Sequence, residues 1–160
     1  KESFDVALKT FIEVYPNSSF WYVRGHGLLV GGLKPLNLNF KDFIKRYNLP
    51  KIRKDLQSIG IKTPEEFFGH MLMDNKNISS YLNRKSEITI NTDDNAYLEF
   101  HTPFEFLQKT ESIVLELLPY VGWKLDSILK SYSTNEENKI NNAFKYRKEK
   151  MIPELKEEIK

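Results

Sequence analysis

Two short apolar runs near the start of the chain constrain its fold more than any other feature. Phe20-Trp21-Tyr22-Val23 and Leu28-Leu29-Val30 are separated by Arg24-Gly25-His26-Gly27, which predicts two antiparallel strands joined by a glycine-containing loop. Both runs are nearly continuous in apolar residues, which indicates burial on two faces. A hairpin alone cannot bury both faces. We therefore expect it to add to a sheet whose other strands lie on upstream chain or on a second copy of this one.

Helical patterns flank the hairpin. Before it, apolar residues from Val6 to Tyr15 lie on one helical stripe, which Ser3 or Asp5 is placed to cap. After it, three short helices are predicted, and a further turn or two follows at residues 75–81. Short helices are marginal in isolation, so their apolar faces must pack. The three helices start at a cap on Asn37 or Asn39, at Pro50, and at Thr63-Pro64-Glu65-Glu66, the last continuing through Phe67, Phe68, Met71 and Leu72.

The helical signal strengthens after Pro103. Apolar residues up to Leu118, and again from Trp123 to Leu129, predict a helical hairpin. The charged tail, residues 135–160, has apolar residues at intervals near one side and predicts a solvated amphipathic helix held by few contacts. Pro153 is expected to kink or end that helix. One helical hairpin is too few for a repeat solenoid.

Composition excludes several function classes. Lys and Arg total 24 against 22 for Asp and Glu, and no charged block indicates nucleic acid or an anionic membrane. The absence of cysteine excludes disulfides, Cys-ligated zinc and a thiol nucleophile, and it favours a cytoplasmic location. No apolar run approaches the roughly 18 residues that span a bilayer. Because the chain starts at Lys1 with neither Met nor a signal-peptide pattern, we interpret it as trimmed or cut from a longer one.

The segment with the most unusual composition is residues 90–103, an Asn-Thr-Asp-Asp turn followed by an apolar stretch that we expect to be extended. In an extended segment the adjacent carboxylates would point to opposite faces, whereas Glu99 and His101 would share one. One interpretation is a polar cluster that faces an amine or a metal. The other is an Asx or ST turn whose side chains satisfy the loop's own backbone. The candidate site residues are Asn91, Thr92, Asp93, Asp94, Glu99 and His101.

The other chemistry-bearing residues form no recognised pattern. The three histidines, His26, His70 and His101, match no zinc-binding spacing. His26 falls in the predicted hairpin loop, and His70 falls on an otherwise apolar helix face, where a boundary imidazole is commoner than a ligand. The sequence contains no Gly-x-Ser-x-Gly elbow, no phosphate-binding glycine loop and no Ser/His/Asp arrangement at a recognisable spacing.

The order of these segments resembles the C-terminal part of spermidine synthase-like proteins, including those fused to a membrane transporter-like region. The resemblance spans about residues 4–103 and is carried by residues 15–21, 27–32, 59–64 and 91–100. Its most specific part is the stretch from Asn91-Thr92-Asp93-Asp94 to Leu98-Glu99-Phe100. The chain departs from the resemblance at Asn95-Ala96, where we expect an Arg-Pro pair, so a role for a cation at that turn is not carried over.

The resemblance implies a Rossmann-like methyltransferase fold to which this chain supplies the last helix and the antiparallel strands at the sheet's edge. In that family, decarboxylated S-adenosylmethionine is the co-substrate that donates the aminopropyl group, and a carboxylate holds the attacking polyamine nitrogen. The glycine-rich donor loop, the acidic residue for the donor's ribose and the catalytic aspartate would all precede residue 1. The resemblance therefore implies no catalytic or cofactor-binding residue in this chain.

We expect an α+β, mostly helical fold in three parts. Residues 1–36 are the terminal helix and hairpin of a Rossmann-like domain, 37–103 are a short-helix region ending in the Asn-Thr-Asp-Asp motif, and 104–160 are C-terminal helices. Two functions stay open: a segment of an aminopropyltransferase-like enzyme that is not catalytic by itself, and a stand-alone helical protein-interaction module. The expected partner is the N-terminal part of the parent domain, or a second copy bound through the hairpin.

Overall fold

The computed structural model describes residues 2–105 and 110–158, which form helices around a small antiparallel sheet. The expected α+β, mostly helical class is confirmed. Two 3₁₀ turns, Leu118–Tyr120 and Leu125–Ser127, precede the last strand. In chain order the elements are α1 (Glu2–Val14), β1 (Asn17–Val23), β2 (His26–Gly32), β3 (Leu38–Asn39), α2 (Phe40–Tyr47), α3 (Pro50–Ser58), α4 (Pro64–Gly69), β4 (Met71–Asp74), α5 (Asn75–Leu82), α6 (Tyr97–Glu105), α7 (Thr110–Leu117), β5 (Leu129–Lys130) and α8 (Thr134–Glu158).

The predicted hairpin is confirmed, with a shorter loop than expected. β1 and β2 pair antiparallel from Asn17 opposite Gly32 to Val23 opposite His26, across the two-residue turn Arg24-Gly25. Both turn residues have positive φ, 48° for Arg24 and 83° for Gly25. Tight two-residue hairpin turns of type I′ require positive φ at both positions because that twist matches the strands.

The third strand of the sheet belongs to this chain. β4 pairs antiparallel with the second edge of β1, with Phe20 opposite Met73 and Trp21 opposite Met71, and the register shifts between Phe20 and Trp21. The sheet order is therefore β2-β1-β4. The expectation that the hairpin's neighbours lie only on upstream chain or on a second copy is wrong for this edge of β1.

Because β4 is a strand, the prediction of one helix through Met71 and Leu72 is also wrong. The helix α4 ends at Gly69, and all four residues of β4 are buried. The spacing of Phe67, Phe68, Met71 and Leu72 fits a helical stripe, yet β4 instead satisfies the free backbone edge of β1 and buries its own side chains on both faces of the sheet. The predicted starts of α2, α3 and α4 are confirmed: Asn39 and Thr63 cap the first and third, and Pro50 begins the second.

Helices cover both faces of β1. The face of Phe20 and Tyr22 is covered by α1, α5 and α7, and the face of Trp21 is covered by α2, α4 and α8. Burying side chains of this size stabilises the fold by about 1.5–3 kcal/mol each. The largest fully buried side chains are Tyr81, Phe40, Phe68, Leu8, Met71, Leu72, Met73, Ile78, Leu117, Leu129 and Ile140.

The second half of the predicted C-terminal helical hairpin is wrong. Instead of a helix, residues 123–129 contain a 3₁₀ turn and the start of β5, which pairs parallel with β3. The backbone here is tied to β4, because the Gly122 N–H donates to the Leu72 carbonyl at 2.8 Å and the Lys124 N–H donates to the Asp74 carboxylate at 3.3 Å. Part of the first predicted helix, residues 106–109, lies outside the described residues.

The C-terminal helix α8 is continuous from Thr134 to Glu158, so of the two outcomes expected at Pro153, a kink or an end, the end is wrong. A proline removes one backbone hydrogen bond, and the turns on either side can still form. The helix is also more firmly held than predicted: Ile140 is fully buried, and the Ala143 carbonyl lies against Gly69 of α4. Of the helices in residues 2–105 and 110–158, none has the length and apolarity needed to cross a membrane.

Candidate functional site

The predicted Asn-Thr-Asp-Asp segment is a turn held by its own side chains. The amides of Thr92 and Asn95 each donate to the other's side-chain oxygen, at 3.1 and 3.3 Å. The Asn95 side-chain amide donates to the Ile90 carbonyl at 2.8 Å, and the Leu98 N–H donates to Asn91 Oδ1 at 2.8 Å. These are the hydrogen bonds of the turn interpretation, in which Asx and ST side chains replace backbone partners.

The turn is tied to the first helix of the chain. The Asn91 N–H donates to Thr10 Oγ1 at 2.8 Å, and the Tyr97 hydroxyl donates to Glu2 Oε1 at 2.6 Å. Thr10 and Glu2 belong to α1, which also packs along α6. The segment therefore fixes α6 against α1.

The stretch after the turn is helical, so the expectation of an extended Tyr97-to-Phe100 segment is wrong. On α6, residues two apart lie about 200° apart around the axis, so Glu99 and His101 do not share a face. His101 stacks on the Tyr97 ring at 3.9 Å between centroids and bonds the Tyr97 carbonyl through Nδ1. Asp93 and Asp94 are exposed in the turn. The structure thus does not gather the six candidate residues around one point.

Ala96 gives the turn an unusual backbone. Its φ is 42°, in the left-handed region, and its N–H donates to the Thr92 carbonyl at 2.8 Å. Proline has φ near −65° and no N–H. The proline expected here from the resemblance would therefore fit neither feature.

The outer side of β2 is the most exposed part of the sheet. Leu28 lies opposite Trp21 and Val30 opposite Ser19, so these side chains share one face. Trp21 is 8% exposed beneath the Phe67 ring, whereas Leu28 and Val30 are 50% and 43% exposed. The helical cover on this face therefore ends at β1. Within residues 2–105 and 110–158, no strand pairs with the second edge of β2.

The opposite face of β2 is tightly packed. A Cβ added to Gly31 would lie 2.7 Å from both the Phe11 ring and the Ser18 hydroxyl, and 2.9 Å from Tyr15 Cβ. Only glycine allows α1 to approach the strand this closely. The expectation that both strands are buried on two faces is confirmed for β1 and is wrong for β2, whose inner face is only partly buried and whose outer face is exposed.

A buried ionic network joins α1, α5 and α7 beneath the sheet. The Tyr81 hydroxyl donates to Asp5 at 2.7 Å, and the Lys85 ammonium contacts Asp5, Tyr81 and Glu116. Burial, and then the bond to Asp5, raise the pKa of Tyr81 above its usual 10. A neutral phenol that donates to a carboxylate already paired with lysine links the helices that carry these groups. We assign this network to the core.

His70 is the one histidine that the structure places at a packing junction. Its Nδ1 lies 3.0 Å from the Tyr22 carbonyl, and the Tyr22 N–H donates to the His70 carbonyl at 2.9 Å. Because a carbonyl only accepts, Nδ1 carries the proton. Burial lowers the pKa of His70, with a smaller contribution from Arg147. The sequence favoured a histidine at the boundary between core and solvent, and the half-buried ring agrees with this. Its hydrogen-bond partner, the Tyr22 carbonyl on β1, had no sequence signal.

Comparison with known protein families, with curated proteins and with solved structures finds no match to this chain. Among the described residues, no group of three or more His, Asp or Glu side chains is arranged to hold a metal ion.

Proposed function

We propose that this chain is the C-terminal segment of a polyamine aminopropyltransferase-like domain. In this role it supplies an edge hairpin and a helical layer to a Rossmann-like sheet, while the donor site and the catalytic carboxylate belong to the preceding part of the domain. The proposal depends mainly on one observation, the open edge of β2 with Leu28 and Val30 half exposed beside it.

An open apolar strand edge is a liability in a free-standing protein, because it presents unpaired N–H and C=O groups to other strands. Proteins usually blunt such edges with charges, proline or a covering element. Strand β2 has neither a charged residue nor a proline at Leu28, Leu29 and Val30. A strand added there would satisfy the free backbone groups, and its side chains on the same face would pack beside Leu28 and Val30.

The turn at residues 91–98 supports the same proposal in a structural role. This segment is the most specific part of the resemblance. In the structure its side-chain oxygens accept hydrogen bonds from backbone N–H groups of the turn and of α6. It fixes α6 to α1, the helix that leads into the hairpin. Within the proposed domain the turn therefore fastens the helical extension to the sheet and does not supply a base or a nucleophile.

A stand-alone interaction module is the second candidate, and one observation favours it. The chain provides β4 for the inner edge of β1 and buries its own residues on both faces of that strand. Such a module would fold without further chain and would use the β2 edge to bind a partner or a second copy.

The experiment that tests the proposal makes the same substitution in two polypeptides. Val30→Lys is introduced into this chain and into a longer polypeptide that includes the coding sequence upstream of Lys1. Where β2 gains a strand neighbour, the lysine is forced into a buried position, and we expect urea unfolding of the longer polypeptide to show a loss of about 2 kcal/mol or more. In this chain alone we expect a change within about 0.5 kcal/mol. Equal small effects in both polypeptides would contradict the proposal.

Ligand binding gives a second test. Decarboxylated S-adenosylmethionine should raise the melting temperature of the longer polypeptide and leave that of this chain unchanged, because only a ligand that binds the folded state stabilises it. A clear rise for this chain alone would show that it carries a donor site. Concentration-dependent dimers of this chain in analytical ultracentrifugation, lost in Val30→Lys, would instead support the interaction module.

A further inference from the structure

The structure has a cleft of about 790 Å³, and the turn at residues 91–98 contributes no residue to its lining. Its walls come from three places: the hairpin turn at Arg24, the connection between α3 and α4, and the first half of α8. The His70 ring also lines it. A volume of this size is in the range of small-molecule sites. The cleft shares no residue with the β2 edge from Leu28 to Val30, so it is independent of the proposed function.

The charges that line the cleft are unbalanced. Four cationic side chains line it, Arg24, Lys62, Lys139 and Arg147, against two carboxylates. One carboxylate, Glu66, accepts the Lys62 backbone N–H at 2.7 Å and so is committed to the start of α4. The cleft therefore has an excess of two positive charges, although the whole chain has a net charge of only +2. A phosphate monoester, with a charge between about −1.5 and −2 at neutral pH, matches this excess.

Arg24 occupies a backbone position that favours another residue. Its φ of 48° suits Gly, Asn or Asp, and a type I′ turn usually has one of these. An arginine there costs about 1 kcal/mol of backbone strain. The hairpin itself gains nothing from the guanidinium, since Arg24 is exposed at the tip. Because Arg24 lines the cleft, its guanidinium is placed to contact a ligand there, which would account for an arginine at this position.

His70 adds to the cleft a ring nitrogen that can donate or accept a hydrogen bond. Because Nδ1–H donates to the Tyr22 carbonyl, Nε2 is the acceptor in the neutral ring and becomes a donor when the ring is protonated. The charged groups that act on the ring are Arg147 on α8 and Glu66 on α4. An anion in the cleft would favour the protonated ring.

We propose that this cleft binds a small phosphate-bearing ligand, with Arg24, Lys62 and Lys139 contacting the phosphate oxygens. Arginine and lysine are the usual partners of phosphate oxygens, and here they come from three separate segments that line one cleft. Tyr146, whose side chain is 63% exposed at the cleft, offers a ring to an aromatic base if the phosphate is part of a nucleotide.

The test is calorimetric titration of the chain with inorganic pyrophosphate and with adenosine 5′-diphosphate at low salt. We expect millimolar or tighter binding that weakens as salt increases. Tighter binding of the nucleotide, lost in Tyr146→Ser, would identify a nucleotide as the ligand, and equal binding of both probes would identify the phosphate group alone. Absence of binding by either probe at about 10 mM would overturn the proposal.

A matched pair of variants separates a site from general charge attraction. Lys139→Gln and Lys145→Gln remove the same charge from the same helix, but only Lys139 lines the cleft. We expect Lys139→Gln to weaken binding about threefold to tenfold and Lys145→Gln to have little effect. Equal weakening in the two variants would overturn the proposal.

Arg24→Gly tests the strained position directly. Glycine fits φ of 48° better than arginine, so we expect this variant to have an equal or higher melting temperature while binding the probes about threefold to tenfold more weakly. A merely structural arginine would show the opposite pattern, a lower melting temperature with unchanged binding. That result would remove Arg24 from the site.

Discussion

Strands β1 and β2 are neighbours of equal length and similar apolar composition, yet they have opposite environments. β1 has a strand on each edge and helices on each face, and its five central residues are buried. β2 has one paired edge and one packed face, and residues 26–28 and Val30 are exposed. The difference arises from what the rest of the chain supplies to each strand. An apolar strand sequence therefore indicates that other elements must pack on the strand. It does not show which part of the chain, or which partner, supplies those elements.

The largest expected effect on stability comes from truncating a buried side chain of β1. Phe20→Ala removes a ring that is 2% exposed and leaves a cavity in the cluster formed with α1, α5 and α7. We expect the free energy of unfolding to fall by about 3–5 kcal/mol. Leu28→Ala on β2 is the matched control, and because Leu28 is half exposed we expect a loss below about 1 kcal/mol. Urea denaturation of both variants checks this, and similar losses would contradict the contrast between the strands.

A smaller effect separates the two faces of β2. Gly31→Ala places a methyl group within 2.7–2.9 Å of Phe11, Ser18 and Tyr15, so we expect a loss of about 1–3 kcal/mol from overpacking against α1. Gly32→Ala, whose nearest neighbour would be 3.5 Å away, should change stability by less than about 0.5 kcal/mol. If thermal melts of the two variants coincide, the inner face of β2 is looser than described.

The pH dependence of stability reports on the inner edge of β1, where His70 bonds Tyr22. Burial lowers the pKa of His70 below its usual 6.5, so the unfolded chain binds more protons than the folded one between these two values. Stability therefore falls as pH is lowered through 6.5 toward the folded-state pKa, with a slope of at most about 1.4 kcal/mol per pH unit from this group.

His70→Asn tests this sign, since an asparagine amide can still donate to the Tyr22 carbonyl but does not titrate. We expect the free energy of unfolding of the variant to depend less on pH between about 5 and 7 than that of the original chain. Denaturation curves at several pH values measure this. An unchanged slope would mean that His70 is not the group responsible.

The smallest expected effect is at the open edge itself. Val30→Lys in this chain alone should change the free energy of unfolding by no more than about 0.5 kcal/mol, because the lysine can extend into solvent. Chemical denaturation at low protein concentration isolates this effect from any association. A loss near that of Phe20→Ala would show that the face of β2 is covered, which would remove the difference between the two strands.

Local signals in the sequence were enough for much of the fold. Helix α1, the hairpin, the Asn39 and Thr63 caps and the Pro50 start all depend on neighbouring residues, and the structure confirms them. β4 was missed because Met71 and Leu72 continue the helical spacing of Phe67 and Phe68. Only pairing with a strand about fifty residues earlier decides between helix and strand there.

The candidate site was less predictable than the fold. The turn at residues 91–98 has the composition of an Asx or ST turn, and that interpretation matches its hydrogen bonds. The helix after it was missed because Tyr97 to Phe100 is short and apolar apart from Glu99, which fits a strand equally well by periodicity. The cleft at Arg24, Lys62 and Lys139 had no sequence signal, because its residues come from three distant segments that only folding brings together.

The position of β4 in the chain has a consequence for how the protein folds. The β1–β2 hairpin closes through two residues, whereas pairing β1 with β4 closes the roughly fifty residues between Phe20 and Met73. Closing the longer loop costs more chain entropy, so that pairing should form after the hairpin. Weakening the contact at Met73 should then act mainly by speeding unfolding, with little change in the folding rate. Strand β1, whose five central residues are buried, would thus gain its second neighbouring strand late.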